Sequence, residues 1–170
     1  MRKIFIILVC LITITGCNKK TESKTNDYKT KVSELLEKNY TLSLYAYGKL
    51  DLEDSVATVD NKNYNLIKQN KIKNLNELNS LLTEVYDPEQ YAKFYEEMFA
   101  KKEFLQIDDK LYVNDNNQSC NIGTDYDFND FKITKTTDEY LIIEYEEASY
   151  NILIKDGKLY LNDNVFKCFE

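Results

Sequence analysis

The chain has 170 residues and contains no histidine and no tryptophan, only four glycines, one proline and a single arginine, Arg2. Without imidazole, neither a Ser-His nor a Cys-His pair can activate a nucleophile, and the commonest zinc ligand is missing. Serine-lysine hydrolysis would need no imidazole, yet no Ser-x-x-Lys occurs in the sequence. Paired carboxylates suit glycosidase chemistry. With 29 acids, however, neighbours such as Glu96 with Glu97 or Glu146 with Glu147 occur by chance and carry no signal. Positive charge is also short: the formal net charge is −7, which repels phosphate backbones and argues against nucleic-acid binding. The expectation is a protein that binds rather than catalyses, with no cofactor and no metal.

The N-terminus reads as a processing signal. Arg2 and Lys3 precede a run from Ile4 to Ile14 that is apolar apart from Thr13, too short for a bilayer core that needs about 20 residues. The order Ile14, Thr15, Gly16, Cys17 resembles the lipobox of bacterial lipoproteins. That resemblance implies a diacylglycerol on the Cys17 thiol, a mature chain beginning there, and a location on the outer face of the cell membrane. Two acyl chains hold a protein to a membrane stably where one does so only marginally. Removing residues 1–17 takes away Arg2, Lys3 and no acid, which moves the net charge from −7 to −9. The lysine bias, with abundant Asn, Ile and Tyr, points to an AT-rich genome and, with the lipobox, to a Gram-positive bacterium. Residues 18–27, "NKKTESKTND", contain no apolar side chain and read as a flexible tether. The remainder, 28–170, suits one domain with its own core.

Within that domain the pattern predicts helices first and strands afterwards. Val32, Leu35, Leu36 and Tyr40 recur at helical spacing between about Tyr28 and Tyr47. A short strand, Asn63 to Lys68, follows. Asn74 is a plausible N-cap for a helix with the stripe Leu75, Leu78, Leu81, Leu82 and Val85. Asp87 and Pro88 open a third helix with an aromatic stripe of Tyr91, Phe94, Tyr95, Met98 and Phe99, which at this spacing is more often core than a pocket wall. After Lys102 the period changes to two in "KLYVN", "DFKITKTT", "EYLIIEYEE", "SYNILI" and "KLYLN", and "KDGK" is a strong hairpin signal. An echo, "IDDKLYVNDN" from Ile107 and "IKDGKLYLNDN" from Ile154, implies two similar hairpins with Leu111 and Leu159 inward and Tyr112 and Tyr160 on the opposite face. The expected fold class is α+β, a helical half at 28–100 packed on a curved antiparallel sheet from 103–170, cystatin-like in outline.

Two features remain. With Cys10 in the signal and Cys17 lipidated, Cys120 and Cys168 are left either to form a disulfide or to stay as two buried thiols; outside the cell a disulfide would persist. The second is "DYDFND", Asp125 to Asp130, with an oxygen-bearing side chain at every second position. An EF-hand needs Gly at its sixth position and Glu at its twelfth, where this chain has Asp130 and Thr136. The stretch is better described as part of a long polar connection, about Asn114 to Asn129, of a length that is usually functional or disordered.

The order of "NLNELNSLLTEVYDPEQYAKFYEEMF", "FLQIDDKLYVNDNN", a Gly-containing loop, "FKITKTTDEYLIIEY" and "ILIKDGKLYLND" resembles the IseA-type inhibitors of cell-wall DL-endopeptidases, over about Tyr64 to Phe169. The resemblance implies a non-enzymatic protein that blocks papain-like cysteine peptidases cutting the stems of peptidoglycan. Its docking loop would include Asn116, Asn117, Ile122, Gly123, Asp125, Asp127 and Asp130, with Gly123 allowing close approach and the aspartates meeting cationic or N–H groups of the cleft. Family members often carry paired glycines here; this chain has Gly123 alone. The rival expectation, from another class, is a lipoprotein that binds a small ligand or envelope partner in a pocket lined by the Tyr91 to Phe99 stripe.

Overall fold

The computed structural model describes residues 18–68, 71–99, 102–114, 120 and 122–166, with backbone alone at 18–26 and 97–99. Residues 1–17, read above as a signal, lie outside these residues, Cys17 among them. The fold is α+β, with three helices and two antiparallel four-stranded sheets among the described residues.

Helix α1 runs from Asn18 to Ala46, so it begins ten residues earlier than the apolar spacing predicts and takes in the segment read as a tether. Composition argues flexibility there, but neither Gly nor Pro interrupts 18–46 and the helix propagates through it. Its inner face, Val32, Leu35, Leu36, Leu42, Tyr45 and Ala46, is buried. Next comes a hairpin of β1 (Leu52–Val59) and β2 (Lys62–Ile67); β1 is an edge strand, mostly exposed and without the alternation that would reveal it in sequence. Helix α2 (Leu75–Val85) starts as expected: the Asn74 side chain accepts from the Glu77 N–H at 2.9 Å, while the Glu77 carboxylate accepts from the Lys73 N–H at 2.7 Å.

Helix α3 (Tyr91–Phe99) starts later than expected. Asp87 is not its N-cap; its carboxylate accepts from the Glu89 N–H at 2.8 Å in a turn through Gln90, and Lys155 lies 3.2 Å away. The side chain instead caps this turn ahead of α3 through the Glu89 bond, and the ion pair with Lys155 adds to it.

Six strands follow, β3 (Glu103–Ile107), β4 (Lys110–Asn114), β5 (Lys132–Thr136), β6 (Tyr140–Tyr145), β7 (Ala148–Lys155) and β8 (Lys158–Leu161); β4 to β8 match the five expected runs, and β3 is an additional strand paired with β4. They do not form one curved sheet. β3 and β4 join the earlier hairpin in the order β1-β2-β4-β3, and the rest form a meander, β5-β6-β7-β8. The division falls at the long connection between β4 and β5; in the first half β2 matches the short strand expected at Asn63 to Lys68, and β1 is the strand that was not expected. Asp156 and Gly157 turn between β7 and β8 with φ of 53° and 74°, as the hairpin signal requires. Leu111 and Leu159 are buried as expected, but Tyr160 is buried too, at 8 % exposure.

One hydrophobic cluster joins α1, α2, Ile67, Leu111 and Val113 of the first sheet, Leu141, Ile143, Ile152 and Leu161 of the second, and Phe166. Helix α2 touches β3 on one sheet and β8 on the other. A polar network is sealed inside. Asn39, fully buried, donates to the Tyr86 hydroxyl at 2.7 Å and accepts from the Val165 N–H at 3.0 Å. One turn on, the Ser43 hydroxyl lies 2.9 Å from the Asn164 side-chain oxygen, and the Asn164 amide donates to the Phe166 carbonyl at 3.0 Å. These bonds clamp residues 164–166 to the middle of α1.

Asn39→Ala removes the acceptor of the Val165 N–H and the donor to Tyr86, which should cost about 2–4 kcal/mol, read as a lower denaturant midpoint. Asp87 yields a pH prediction. Its backbone hydrogen bond from Glu89, and then Lys155, hold its pKa below the ordinary 3.8. A depressed folded value means that this stabilisation is complete above 3.8 and is lost as pH falls below it. Urea midpoints taken downward from pH about 5 should fall more steeply in the native chain than in Asp87→Asn.

Candidate functional site

The described part of the β4–β5 connection is held against α1 by alternate side chains. Ile122 is buried. The Gly123 carbonyl accepts from the Tyr40 hydroxyl at 3.1 Å. A Cβ at Gly123 would lie 3.2 Å from the Tyr126 hydroxyl, tighter than side chains ordinarily pack, so glycine allows Tyr126 to fold over this point. Tyr126 stands edge-on to Tyr40 at 5.5 Å and to Phe166 at 4.8 Å, and Phe128 lies 5.5 Å from Tyr40 and 6.0 Å from Phe166. Burial pushes the Tyr126 phenol up, with Glu146 adding to it.

The intervening residues face water. Asp125, Asp127, Asn129 and Asp130 are all exposed. The Asp127 carboxylate accepts from the Asn129 N–H at 2.9 Å, its carbonyl accepts from the Asp130 N–H at 3.1 Å, and the Ser33 hydroxyl donates to the Asn129 side chain at 3.0 Å. "DYDFND" is thus an aromatic-in, acid-out edge folded on a helix. Among the described residues no group of three or more acids or cysteines is placed to hold a metal ion; Asp127 is engaged in its own turn.

Of the residues assigned to the docking loop, the structure brings Ile122, Gly123, Asp125, Asp127 and Asp130 onto this edge, while Asn116 and Asn117 lie outside the described residues. Cys120 is disulfide-bonded; Cys10, Cys17 and Cys168 lie outside the described residues. Its backbone N–H donates to the Tyr47 carbonyl at 2.8 Å, tying the connection to the C-terminus of α1. Sequence reasoning missed the two anchors, Tyr40 and Phe166. Tyr40 reads as one more residue of a helical stripe, and Phe166 follows the last strand with no periodicity around it.

The aromatic stripe of α3 divides. Phe94 is core, stacked on Tyr86 at 3.8 Å. Tyr95, 42 % exposed, borders an open groove of about 540 Å³ with Tyr64, Leu78, Lys102, Glu103 and Phe104. The buried Lys102 ammonium donates to the Gly48 carbonyl. Met98 and Phe99 side chains lie outside the described residues. Among the described residues no helix is long and apolar enough to cross a membrane.

No protein-family model matches the chain, and no curated protein matches it.

Phe166→Ala removes the ring shared by Tyr40, Tyr126 and Phe128 and should cost about 3–5 kcal/mol. Amide exchange at 123–130 should quicken more than at β6 and β7, measured by hydrogen-exchange mass spectrometry.

Proposed function

We propose that the chain is a lipid-anchored extracytoplasmic inhibitor of the papain-like endopeptidases that cut peptidoglycan stems. One observation carries the reading: the acidic edge from Gly123 to Asp130 is held in place before any partner arrives, by Tyr40, Tyr126, Phe128 and Phe166. An inhibitor that blocks a cleft without reacting in it must bind by shape and charge, and a loop already ordered loses less entropy on docking. Three exposed carboxylates, Asp125, Asp127 and Asp130, give that edge the charge of an acidic stem peptide. Residues 1–17 supply the route out of the cell and the Cys17 anchor. The absence of histidine agrees with a role that needs no proton shuttle.

The second reading is a ligand-binding lipoprotein, favoured by the groove between Tyr95 and Phe104. The two part on a single assay. Micromolar chain without residues 1–17, added to a DL-endopeptidase digest of peptidoglycan, should slow hydrolysis. Asp125→Lys with Asp127→Lys should weaken inhibition by roughly tenfold or more and reduce its salt dependence. Unchanged hydrolysis with the native chain would remove the inhibitor reading and leave the ligand-binding one.

A further inference from the structure

The open groove bordered by Tyr95 lies between α2, α3 and β3 and holds about 540 Å³, within the range of small-ligand sites. Its floor, Tyr64, Leu78 and Lys102, is buried. A ligand therefore meets the walls, and these are reachable. Tyr95 is 42 % exposed, Glu96 and Glu103 are exposed, and Leu75, Asn79 and Phe104 are half-buried.

Three observations limit the occupant. The first is that the charges cancel. Lys62 holds the Glu103 carboxylate at 2.6 Å, with the Tyr64 hydroxyl 3.0 Å from the same group, and Lys102 in the floor offsets Glu96. An anion would face two carboxylates. A cation would find one of them already paired and a lysine charge beneath it. The second is free hydrogen-bonding capacity. The Asn79 side-chain oxygen accepts from the Tyr91 hydroxyl at 3.2 Å, and among the described residues its amide nitrogen and the Glu96 carboxylate have no partner. An aliphatic chain laid over these groups would desolvate them without pairing them. The third is the ring itself. Among the described residues three large apolar side chains are exposed, Val56, Val59 and Tyr95, and Tyr95 alone is aromatic. Stacked against Tyr91 at 5.8 Å, it forms a fixed flat wall.

We infer that this groove binds the ring of a neutral sugar. A pyranose carries an apolar C–H face and an edge of hydroxyls, so it satisfies both kinds of wall at once. Its C–H face meets the electron-rich face of the Tyr95 ring. Its hydroxyls accept from the Asn79 amide and donate to the Glu96 carboxylate, while Leu75 and Phe104 close the apolar side. The inference deepens the ligand-binding reading and rests on it, and it is independent of peptidase inhibition.

The test is an amide NMR titration of the isotope-labelled chain at constant pH and ionic strength. The probes are the methyl glycosides of glucose, mannose and N-acetylglucosamine, with octanoate and n-butylammonium beside them. Saturable shifts at 75–79, 95–96 and 103–104 are expected with at least one sugar. Tyr95→Ala should weaken that sugar by about fivefold or more, whereas Tyr95→Phe, which keeps the ring, should stay within about twofold of the native chain. Asn79→Ala should weaken it by about threefold or more. Because Tyr95 is exposed, its variants should keep the native amide spectrum elsewhere. Equal affinity of the native and Tyr95→Ala chains would overturn the proposal. Saturable binding of octanoate or n-butylammonium in the groove, with none of any sugar, would overturn the sugar assignment and keep the ligand-binding reading. No saturable response to any probe would remove both.

Discussion

The structure depends on how residues 164–166 are fastened to α1. Asn39 and Ser43 are polar side chains on the buried face of a helix, a costly placement unless they are hydrogen-bonded. They are satisfied by the segment that follows the last strand, through the Val165 N–H and the Asn164 side chain. The bond from the Asn39 amide to Tyr86 extends the same network to the C-terminus of α2. A few bonds inside an apolar core thus join the first helix, the second helix and the end of the meander. Because a partly satisfied network is worse than none, they fix one arrangement of these elements.

That clamp determines where Phe166 stands. Its ring meets Tyr40, Tyr126 and Phe128 under the acidic loop, and Tyr145 of β6. The β4–β5 connection, which by length alone would be expected to move, is therefore ordered from Ile122 onward by packing on a helix far away in sequence. Ordering of this kind favours specific binding, since little entropy remains to be lost on contact.

Local signals placed the elements well. The cap at Asn74, the leucine stripe of α2, the period-two runs of the second half and the Asp156–Gly157 turn are set by neighbours in sequence, and each stands where its pattern put it. The misses have other causes. α3 begins after a separate turn, through Gln90, that Asp87 caps. β1 escaped notice because an exposed edge strand has no buried face to impose alternation. The strands parted into two sheets at a connection whose path is set by tertiary contacts. In the candidate site, the alternation in "DYDFND" was visible, but which side faced inward was not, because Tyr40 and Phe166 supply that information from either end of the chain.

The central claim is that the clamp at 164–166 organises the loop at 123–130. Native-state amide exchange of Asn164→Ala reads it directly. Among the described residues, the Asn164 side chain bonds to Ser43 and to the Phe166 backbone and to no residue of the loop, so it acts on the loop by positioning Phe166. The account predicts that exchange at 123–130 accelerates by more than the variant's global loss of stability explains. Loop exchange that rises only in step with the strands of the second sheet would contradict it.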